Sequence, residues 1–239
     1  MRYLDCTLPT AEENLACDEA LLDLCEDGFE EELLRFWEPK EHFVVLGYSN
    51  RVDMDVHLAA CQELNIPVLR RCSGGGTVLQ GPGCLNVSLI LKIGDSSPFG
   101  SFSQTTFLIN ARHKQALEPL LGVPVTLQGF SDLALGSLKF SGSAQRYKRR
   151  HVLFHGTFLL ALDIPLVERL LWLPARQPRY RHNRSHTDFL KNLQIPAALV
   201  KETIRATWGA TVPLEAVPLD RIQHLVKTRY ATFEWTMRC

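Results

Sequence analysis

Three consecutive glycines and two adjacent arginines form the part of this sequence most suited to binding a charged ligand. Residues 68–91 read VLRRCSGGGTVLQGPGCLNVSLIL, with Arg70 and Arg71 shortly before Gly74, Gly75 and Gly76. Glycine is retained where a Cβ would obstruct a close approach, and successive main-chain N–H groups can then surround an anion. Two guanidinium groups add forked donors that suit phosphate or carboxylate. The segment predicts an anion-binding loop; a glycine-rich hairpin with solvated arginines is the alternative.

The spacing of these glycines excludes the two commonest phosphate loops. The sequence contains neither G-x-x-x-x-G-K-[ST] nor a G-x-G-x-x-G that opens a helix after a strand. A P-loop and a Rossmann turn are therefore not indicated. The apolar runs at residues 66–69 and 85–91 predict instead that the loop lies between two strands.

A second candidate segment covers residues 139–160, KFSGSAQRYKRRHVLFHGTFLL. Lys139 enters a predicted strand, where a partly buried ammonium needs an anion nearby. Strand alternation predicts Lys139 and Ser141 on one face and Phe140 on the other. An anion-binding lysine is one interpretation, and a surface lysine in a hairpin is the other.

The two segments together resemble the signatures of the lipoate–protein ligase A family, within the wider biotin and lipoate ligase group. R-R-x-S-G-G-G-x-V-x-x-G-P-G and K-x-S-G-x-A-Q…H-G-T-x-L-L carry the resemblance. It implies an α/β (α+β) fold with a mixed twisted sheet flanked by helices, as in class II synthetases and biotin and lipoate ligases. It also implies an enzyme that joins lipoate, or a related medium-chain acyl group, to a specific lysine of an acceptor domain through an acyl-adenylate.

The resemblance implies a role for each matching residue. Lys139 would offset charge while the substrate carboxylate attacks the ATP α-phosphorus, and again while AMP departs. The acyl chain would lie in an apolar pocket under the three glycines, and His155 would form a hydrogen-bonding wall. The residues implied to bind substrate or adenylate are Arg70, Ser73, Gly74, Gly75, Gly76, Val78, Gln80, Asn86, Asp132, Ser141, Gly142, Ala144, His155, Gly156 and Thr157.

Two further segments resemble parts of the same site. Residues 129–133 are similar to a G-x-x-D-L turn in which Asp132 lies near the adenylate or a bound Mg²⁺; a plain Asx turn explains the same residue. Residues 176–184, RQPRYRHNR, resemble a mobile loop that folds over the adenylate, as a basic loop near an anion would. A surface loop that contacts acidic partners is the other interpretation. The implied cofactors are ATP and Mg²⁺, or a preformed lipoyl-AMP.

Two departures from the family pattern bear on the activity. Gln80 stands where many ligases carry a histidine, and because Gln does not titrate, acid–base chemistry is excluded there. The sequence stops at Cys239, which leaves no room for the accessory domain of two-domain ligases. Residues 1–239 are therefore predicted to be one catalytic domain that uses a separate accessory subunit for ATP-dependent activation, or only a preformed acyl-adenylate.

The main alternative is an octanoyl or lipoyl transferase that uses a carrier-protein donor and a cysteine thioester. That chemistry needs an exposed, thiolate-prone cysteine. Cys72 and Cys84 flank the glycines, and Arg71 could depress the pKa of Cys72; packing thiols are the simpler interpretation. A silent domain that binds lipoate or acyl-AMP is a third possibility, which the intact Arg70, glycine loop and Lys139 disfavour.

Composition narrows the partners and the compartment. The 239 residues are 46% hydrophobic and 22% charged with zero net charge, which gives no general attraction to nucleic acid or membrane. Between residues 139 and 184, however, ten basic residues face two acidic ones. The basic turn at 146–151 would steer an acidic lipoyl domain or H-protein type of acceptor, unless it is merely solvated. Seven cysteines without metal spacing, and no signal peptide, predict a cytoplasmic protein.

The elements that must position these residues follow from local patterns. Thr10 and Glu13 form a capping box for a helix over residues 11–26. Apolar periodicity predicts further helices over residues 52–65, 107–121, 197–208 and 219–230. Strands are predicted over residues 2–8, 33–37, 43–46, 66–69, 85–91, 124–127 and 152–162, with residues 96–103 a polar connection. The family resemblance implies that the strands over residues 33–37 and 43–46 form a pair beside the glycine loop, so that Gly47, Tyr48 and Asn50 would lie near the acyl pocket.

Overall fold

A computed structural model describes residues 1–94 and 97–238 of the chain. Its strands are β1 Arg2–Asp5, β2 Leu33–Trp37, β3 Phe43–Leu46, β4 Val68–Arg70, β5 Val78–Gln80, β6 Cys84–Lys92, β7 Thr126–Gln128, β8 Asp132–Leu135, β9 Leu138–Tyr147, β10 His151–Leu159 and β11 Val212–Pro213. Its α-helices are α1 Ala11–Glu26, α2 Val52–Asp55, α3 Leu58–Glu63, α4 Phe102–Leu121, α5 Ile164–Leu170, α6 His186–Phe189, α7 Ala197–Thr207, α8 Leu219–Leu225 and α9 Phe233–Met237. A 3₁₀ turn spans Arg179–Arg181, and a π-helical turn spans Val226–Tyr230.

Two sheets organise the chain. The larger has the strand order β11-β1-β2-β6-β10-β9-β8-β7, and the smaller has the order β4-β3-β5. In the larger sheet β1 runs parallel to both neighbours, whereas β2, β6, β10, β9, β8 and β7 pair antiparallel in sequence across the sheet. Side chains of α4 and α7 pack on one face of this sheet, and those of α1 and α8 pack on the other. The predicted mixed sheet flanked by helices is confirmed.

Helix α1 has the predicted bounds because its cap and its apolar face agree. The Thr10 hydroxyl accepts from the Glu13 N–H at 3.2 Å, and the Glu13 carboxylate accepts from the Thr10 N–H at 3.0 Å. This reciprocal pair satisfies two N–H groups that a helix start leaves without partners. Cys17 and Leu21 are buried against the large sheet.

Several predicted elements differ in extent. The helix predicted over residues 52–65 is broken into α2 and α3 because Val56 is extended and forms an isolated bridge with Leu171. The strand predicted over residues 2–8 ends at Asp5 and is not at the edge of its sheet. The predicted pair β2 and β3 is divided between the two sheets. Of the polar connection over residues 96–103, Ser96 lies outside the described residues and Phe102 already begins α4.

A β-bulge in β9 changes the predicted facing of the lysine strand. Leu133 of β8 pairs with Ser141, and the next residue, Ala134, pairs with Lys139. Phe140 is therefore an extra residue that has no partner on β8. A bulge of this kind shifts the alternation of side chains by one position. The prediction that Lys139 and Ser141 share a face is wrong for this reason.

The consequence of the bulge is that Lys139 joins the face of Asp132 and Gly142, which pair directly with each other. Ser141 pairs with Phe158 of β10 and with a buried leucine of β8, on the face covered by α4. The expectation that Ser141 contacts the substrate is corrected accordingly.

Arg70 is fully buried and joins the C-terminal segment to the loop after β3. Its three nitrogens donate to backbone carbonyl oxygens of Gly47, Tyr48, Asn50, Trp235, Thr236 and Arg238. The Trp235 indole N–H donates in return to the Arg70 carbonyl at 2.9 Å. The guanidinium is used by the main chain, so the expected substrate-binding role of Arg70 is corrected to a structural one.

In the described part of the chain, no helix combines the length and the apolarity that crossing a membrane requires.

The Arg70 bonds predict a large loss of stability on substitution. Arg70→Met keeps the aliphatic volume but leaves buried carbonyl groups without donors, so we expect the free energy of unfolding to fall by about 3 kcal/mol or more. Urea denaturation followed by circular dichroism measures the change. Arg149→Met, at an exposed arginine of the turn after β9, is the control and should change stability little. Equal effects of the two substitutions would contradict the structural role.

Buried His113 of α4 predicts acid sensitivity. Its Nε2 accepts from the Trp208 indole at 3.0 Å, and burial lowers its pKa to about 3. As pH falls below 6.5 the unfolded chain binds the proton first, so this stabilisation is progressively lost between pH 6.5 and about pH 3.

His113→Gln can still accept from Trp208 but does not titrate. Between pH 7.5 and pH 5 we expect the variant to lose about 2 kcal/mol less unfolding free energy than the unmodified chain. His224→Gln, at an exposed histidine of α8, serves as the control. Identical pH profiles for all three proteins would rule out the explanation.

Candidate active site

The strand register aligns polar side chains in two neighbouring rows on one face of the large sheet. The first row consists of Arg35, Ser88, His155 and Ala144. The second row consists of Trp37, Asn86, Thr157, Gly142 and Asp132. The rows are two residues apart on each strand, so both project from the same face. The glycine loop between β4 and β5 contacts the first row through Ser73, and we call this face, with the loop, the candidate site.

The first row contains a buried ion pair. Arg35 has no exposed surface, and its Nη1 lies 2.7 Å from Asp18 Oδ1 of α1. Burial by itself raises the pKa of Asp18, but Arg35, His155 and the Ser88 hydroxyl outweigh burial, and the pKa is lowered. Asp18 is therefore a carboxylate, with α1 supplying the counter-ion for the sheet.

His155 connects this carboxylate to the glycine loop. Its Nδ1 lies 3.0 Å from Asp18 Oδ2, and its Nε2 lies 2.5 Å from the Ser73 Oγ. A carboxylate at Nδ1 favours the tautomer that carries its proton there, which leaves Nε2 as an acceptor. The Ser73 hydroxyl then donates to Nε2. The predicted hydrogen-bonding wall is thus one part of a longer Ser–His–Asp chain.

Arg71 holds the glycine loop from beneath. Its Nη2 donates to the Gly74 carbonyl at 2.5 Å and to the Gly76 carbonyl at 2.8 Å. Because a trans peptide directs its C=O and N–H to opposite sides, the N–H groups that follow these carbonyls point away from Arg71. Within residues 1–94 and 97–238, the N–H groups of the three glycines donate no hydrogen bond. Burial lowers the pKa of Arg71 to about 10, so it remains a cation at neutral pH.

The side chains beneath the glycine loop do not form the expected apolar pocket. The Arg71 guanidinium lies 3.0 Å, and the Ala144 methyl 3.6 Å, from where a Cβ at Gly75 would be. Both groups face the loop from below, and one of them is charged. An acyl chain therefore needs a different path from the one expected directly beneath the loop.

At some loop positions the surrounding protein leaves no room for a side chain, and at others it leaves open space. Gly75 has φ +86°, and a Cβ on Gly47 would lie 2.2 Å from the Gly75 carbonyl oxygen. A Cβ on Gly74 or Gly76 would meet no atom within 4 Å. The close contact with Gly47 agrees with the prediction that the turn after β3 lies beside the loop. The open space above Gly74 and Gly76 is available to a ligand.

The Lys139 ammonium lies across Gly142 and binds Asp132. Its Nζ is 2.7 Å from Asp132 Oδ1, and a Cβ on Gly142 would lie 2.7 Å from the same nitrogen. Only glycine at position 142 lets the lysine lie over the strand. The Tyr180 hydroxyl donates to Asp132 Oδ2 at 2.8 Å, and burial together with Asp132 raises the Tyr180 pKa, so the phenol stays a donor.

The surroundings of Asp132 do not fit the expected Mg²⁺ role. One oxygen binds the Lys139 ammonium and the other accepts from Tyr180. No group of three or more His, Cys, Asp or Glu residues that could hold a metal ion occurs among the described residues. We assign Asp132 the role of positioning Lys139, and no step below involves a metal.

A closed ring of hydrogen bonds forms the second row between the two sheets. Gln80 Nε2 donates to Thr157 Oγ1 at 2.7 Å, and Thr157 donates to Asn86 Oδ1 at 2.6 Å. Asn86 Nδ2 closes the ring by donating to Gln80 Oε1 at 2.9 Å. Three predicted residues from the two candidate segments are thus brought together. They provide a neutral polar floor that does not titrate.

Of the other predicted residues, Gly156 lies between the two rows and pairs with Val87 and Ser143, so its position belongs to the other face of the sheet. A Cβ there would lie 2.9 Å from the Gly142 carbonyl oxygen. Val78 is two residues from Gln80 on β5, so it projects from the same face of that strand, and it is 38% exposed. Cys72 and Cys84 are buried, and burial raises the pKa of each to about 12. The interpretation of both as packing thiols agrees with this burial, and the alternative of a Cys72 pKa lowered by Arg71 does not.

The two basic segments also differ from simple solvated loops. At the turn after β9, Lys148 pairs with Asp23 and the Arg150 N–H donates to Glu26 at 2.8 Å. Of the basic side chains in this turn, Lys148 is thus paired with a carboxylate of α1. Residues 176–184 pack on the turn before β8, where the Pro178 Cβ lies 2.9 Å from the Cβ position of Gly129. This contact places the loop beside Asp132, and its folding over an adenylate stays a prediction.

Sequence reasoning missed Asp18, Arg35 and Tyr180. A signal for the first two was present, because an arginine inside the apolar strand LLRFW requires a buried counter-ion. The acid in the apolar helix segment NLACDEALL was that partner. Tyr180 lies in an irregular loop, where no periodicity reports the direction of a side chain.

Comparison with known proteins agrees with this geometry. Residues 10–205 match the family model of the lipoyl protein ligase A/B catalytic domain. A protein of Aeropyrum pernix named for lipoate-protein ligase A is 31% identical over 161 residues, which is 66% of this chain and 57% of that protein. The octanoyltransferase LipM of Brevibacillus brevis is 23% identical over 273 residues, covering 99% of this chain and 98% of that protein.

A structure from Thermoplasma acidophilum, described as a bipartite lipoate protein ligase and its E2 lipoyl domain, has the same fold. One of its chains superimposes with a TM-score of 0.83 at 20% identity, covering 99% of this chain and 95% of that one. The family match extends over most of the sequence and includes both candidate segments. The chain therefore belongs to the lipoyl protein ligase A/B catalytic domain family.

Proposed function

We propose that this chain attaches lipoate, or a related medium-chain acyl group, to a specific lysine of an acceptor protein domain through an acyl-adenylate. ATP activates the carboxyl group, or a preformed lipoyl-AMP is supplied. The acceptor is a lipoyl domain or an H-protein type of domain. The Thermoplasma structure, whose description names a bipartite ligase and a lipoyl domain, supports this acceptor and a separate accessory subunit. The match to the Aeropyrum relative covers 57% of that protein.

One observation carries the proposal: the lysine and the glycine loop face the same space. Lys139 lies over Gly142, and Gly75 lies above Ala144. Gly142 and Ala144 are alternate residues of β9, so their side-chain positions are about 7 Å apart along the strand. A mixed anhydride of a carboxylate and a phosphate fits between an ammonium on one side and main-chain N–H groups on the other.

The residues act mainly by electrostatics and positioning. Lys139 offsets the negative charge of the carboxylate and then of the phosphate, while Asp132 and Tyr180 hold the ammonium in place. The N–H groups of Gly74, Gly75 and Gly76 bind the other side of the anhydride. The neutral ring of Gln80, Asn86 and Thr157 adjoins Gly142 in the second row. The acceptor lysine then attacks the acyl carbon, and the bond to AMP breaks.

A thioester transferase is the second candidate, because the LipM relative matches almost the whole chain. The two cysteines next to the glycines do not favour it, since both are buried with raised pKa values. Incubation with an acceptor domain and either lipoate plus ATP, lipoyl-AMP or an octanoyl-carrier separates the candidates. Acceptor mass gain with the adenylate but not the carrier supports the ligase. Gain with the carrier alone supports the transferase, and no gain with any donor favours a binding domain without activity.

Lys139→Ala tests the proposed electrostatic role. With lipoyl-AMP and a lipoyl domain, we expect transfer to be at least ~100-fold slower, the effect of removing one preorganised charged group. Intact-protein mass spectrometry of the acceptor measures the rate. Lys191→Ala, at an exposed lysine whose main chain contacts Lys139, is the matched control. Undiminished transfer by Lys139→Ala would refute the role.

Cys72→Ser combined with Cys84→Ser tests the thioester alternative. Since neither thiol is exposed or thiolate-prone, we expect the double variant to transfer from lipoyl-AMP at the unmodified rate once corrected for folded protein. Thermal unfolding gives that correction. If the folded double variant loses transfer from an octanoyl-carrier that the unmodified chain carries out, the result would support the thioester mechanism over the adenylate mechanism.

A further inference from the structure

The proposed ligase chemistry makes no use of the most reactive arrangement in the site. The Ser73 Oγ lies 2.5 Å from His155 Nε2, and His155 Nδ1 lies 3.0 Å from Asp18 Oδ2. A nucleophile within hydrogen-bond reach of a base, and a base oriented by a third group, is the signature of covalent acyl transfer. Asp18 is itself fixed by Arg35 at 2.7 Å and by the Ser88 hydroxyl at 2.8 Å.

We propose that Ser73, His155 and Asp18 form a serine acyl-transfer centre that takes activated medium-chain acyl esters or thioesters without ATP. The medium-chain class of the acyl group rests on the proposed function, whereas the transfer chemistry rests on the geometry alone. Ser73 is the nucleophile and His155 the base. Asp18 is a positioning residue that acts through His155.

The steps balance without a further reactant. The Ser73 Oγ attacks the acyl carbon while His155 Nε2 takes the hydroxyl proton. The bond from the acyl carbon to the leaving oxygen or sulfur then breaks, and His155 gives the proton to that atom. Next, an acceptor amine or water attacks the acyl-serine, its proton passes to His155, and His155 returns a proton to the departing Ser73 Oγ.

The glycine loop supplies the stabilisation that such a step needs. Negative charge develops on the acyl oxygen, and preorganised main-chain N–H groups stabilise it most effectively. Gly74 directly follows Ser73, and the N–H groups of Gly74, Gly75 and Gly76 donate no hydrogen bond to any group in the described residues. Arg71 fixes the carbonyls of Gly74 and Gly76 from the other side. The loop geometry is therefore set before a donor arrives.

The approach of the donor is from the loop side. Ser73 is 1% exposed, whereas Gly75 and Gly76 above it are exposed. A Cβ on Gly74 or Gly76 would meet no atom within 4 Å, so the outer side of the loop is open. Arg71 donates to the Ser73 hydroxyl oxygen at 3.2 Å as well as to the Gly74 and Gly76 carbonyls, so any movement of the loop that uncovers the hydroxyl breaks these bonds.

The experiment uses the full chain, 4-nitrophenyl octanoate and no ATP. We expect release of nitrophenol and one octanoyl group added to the peptide that contains Ser73, found by mass spectrometry. Ser73→Ala should lower the rate at least ~100-fold. Ser49→Ala, at an exposed serine near the loop, is the control and should leave the rate unchanged.

Ser73→Cys separates reactivity from folding. A folded Ser73→Cys protein should accumulate an octanoyl thioester at position 73, because the stronger nucleophile remains beside the same base. Asp18→Asn should lower kcat for the ester and leave KM unchanged, as expected of a residue that orients the base. A purely structural loss would instead lower the fraction of folded protein, which thermal unfolding reports.

Failure of this proposal and failure of the proposed function give different results. If neither residue 73 of the unmodified chain nor Cys at position 73 in Ser73→Cys becomes acylated, the acyl-transfer centre is refuted. That holds even when lipoate and ATP still modify the acceptor. If residue 73 is acylated by the ester and Lys139→Ala keeps full transfer from lipoyl-AMP, the centre stands and the adenylate role of Lys139 does not. Nitrophenol release that Ser73→Ala leaves unchanged would also overturn the proposal.

Discussion

The buried ion pair between Arg35 and Asp18 is the constraint on which the candidate site depends. A charge without exposed surface is tolerated only with a partner in good geometry, and removing one partner leaves an uncompensated charge. Arg35 belongs to the large sheet and Asp18 to α1, so the pair fixes the rotation and depth of the helix on the sheet. The remaining Asp18 oxygen orients His155, and His155 in turn contacts the glycine loop. The same ion pair that stabilises the core therefore also positions His155 and, through it, Ser73.

The two adjacent arginines show how neighbouring residues of one type can have different tasks. Successive side chains of an extended segment leave it in opposite directions. The Arg70 guanidinium donates hydrogen bonds to main-chain carbonyl oxygens of the loop after β3 and of the C-terminal segment. The Arg71 guanidinium donates instead to the carbonyl oxygens of the glycine loop. Both therefore act as internal scaffolds. The anion-binding potential of this segment resides in its main-chain N–H groups and in Lys139.

The sequence predicted the fold class, α1 with its capping box, β2, β3 and the two motif segments, because each depends on local periodicity or capping. It also brought Gln80, Asn86 and Thr157 into one site through the family resemblance. It failed for Lys139 and Ser141, since a one-residue bulge is invisible to a rule of strict alternation. Arg70 was misassigned because composition does not distinguish a guanidinium that binds carbonyls from one that binds an anion. Asp18 was missed because its partners come from β2 and β10, far away in the chain.

The bulge at Phe140 leaves a trace in the motif itself. In a regular strand, residues that share a face follow one another in steps of two, yet Lys139 and Gly142 are three apart. Gly142, Ala144 and Arg146 then resume the ordinary step. The interval of three residues between the lysine and the glycine of K-x-S-G therefore reflects the bulge. In a strand without the bulge, the same interval of three residues would turn the ammonium towards the apolar side of the sheet, so the local geometry matters as much as the residue types.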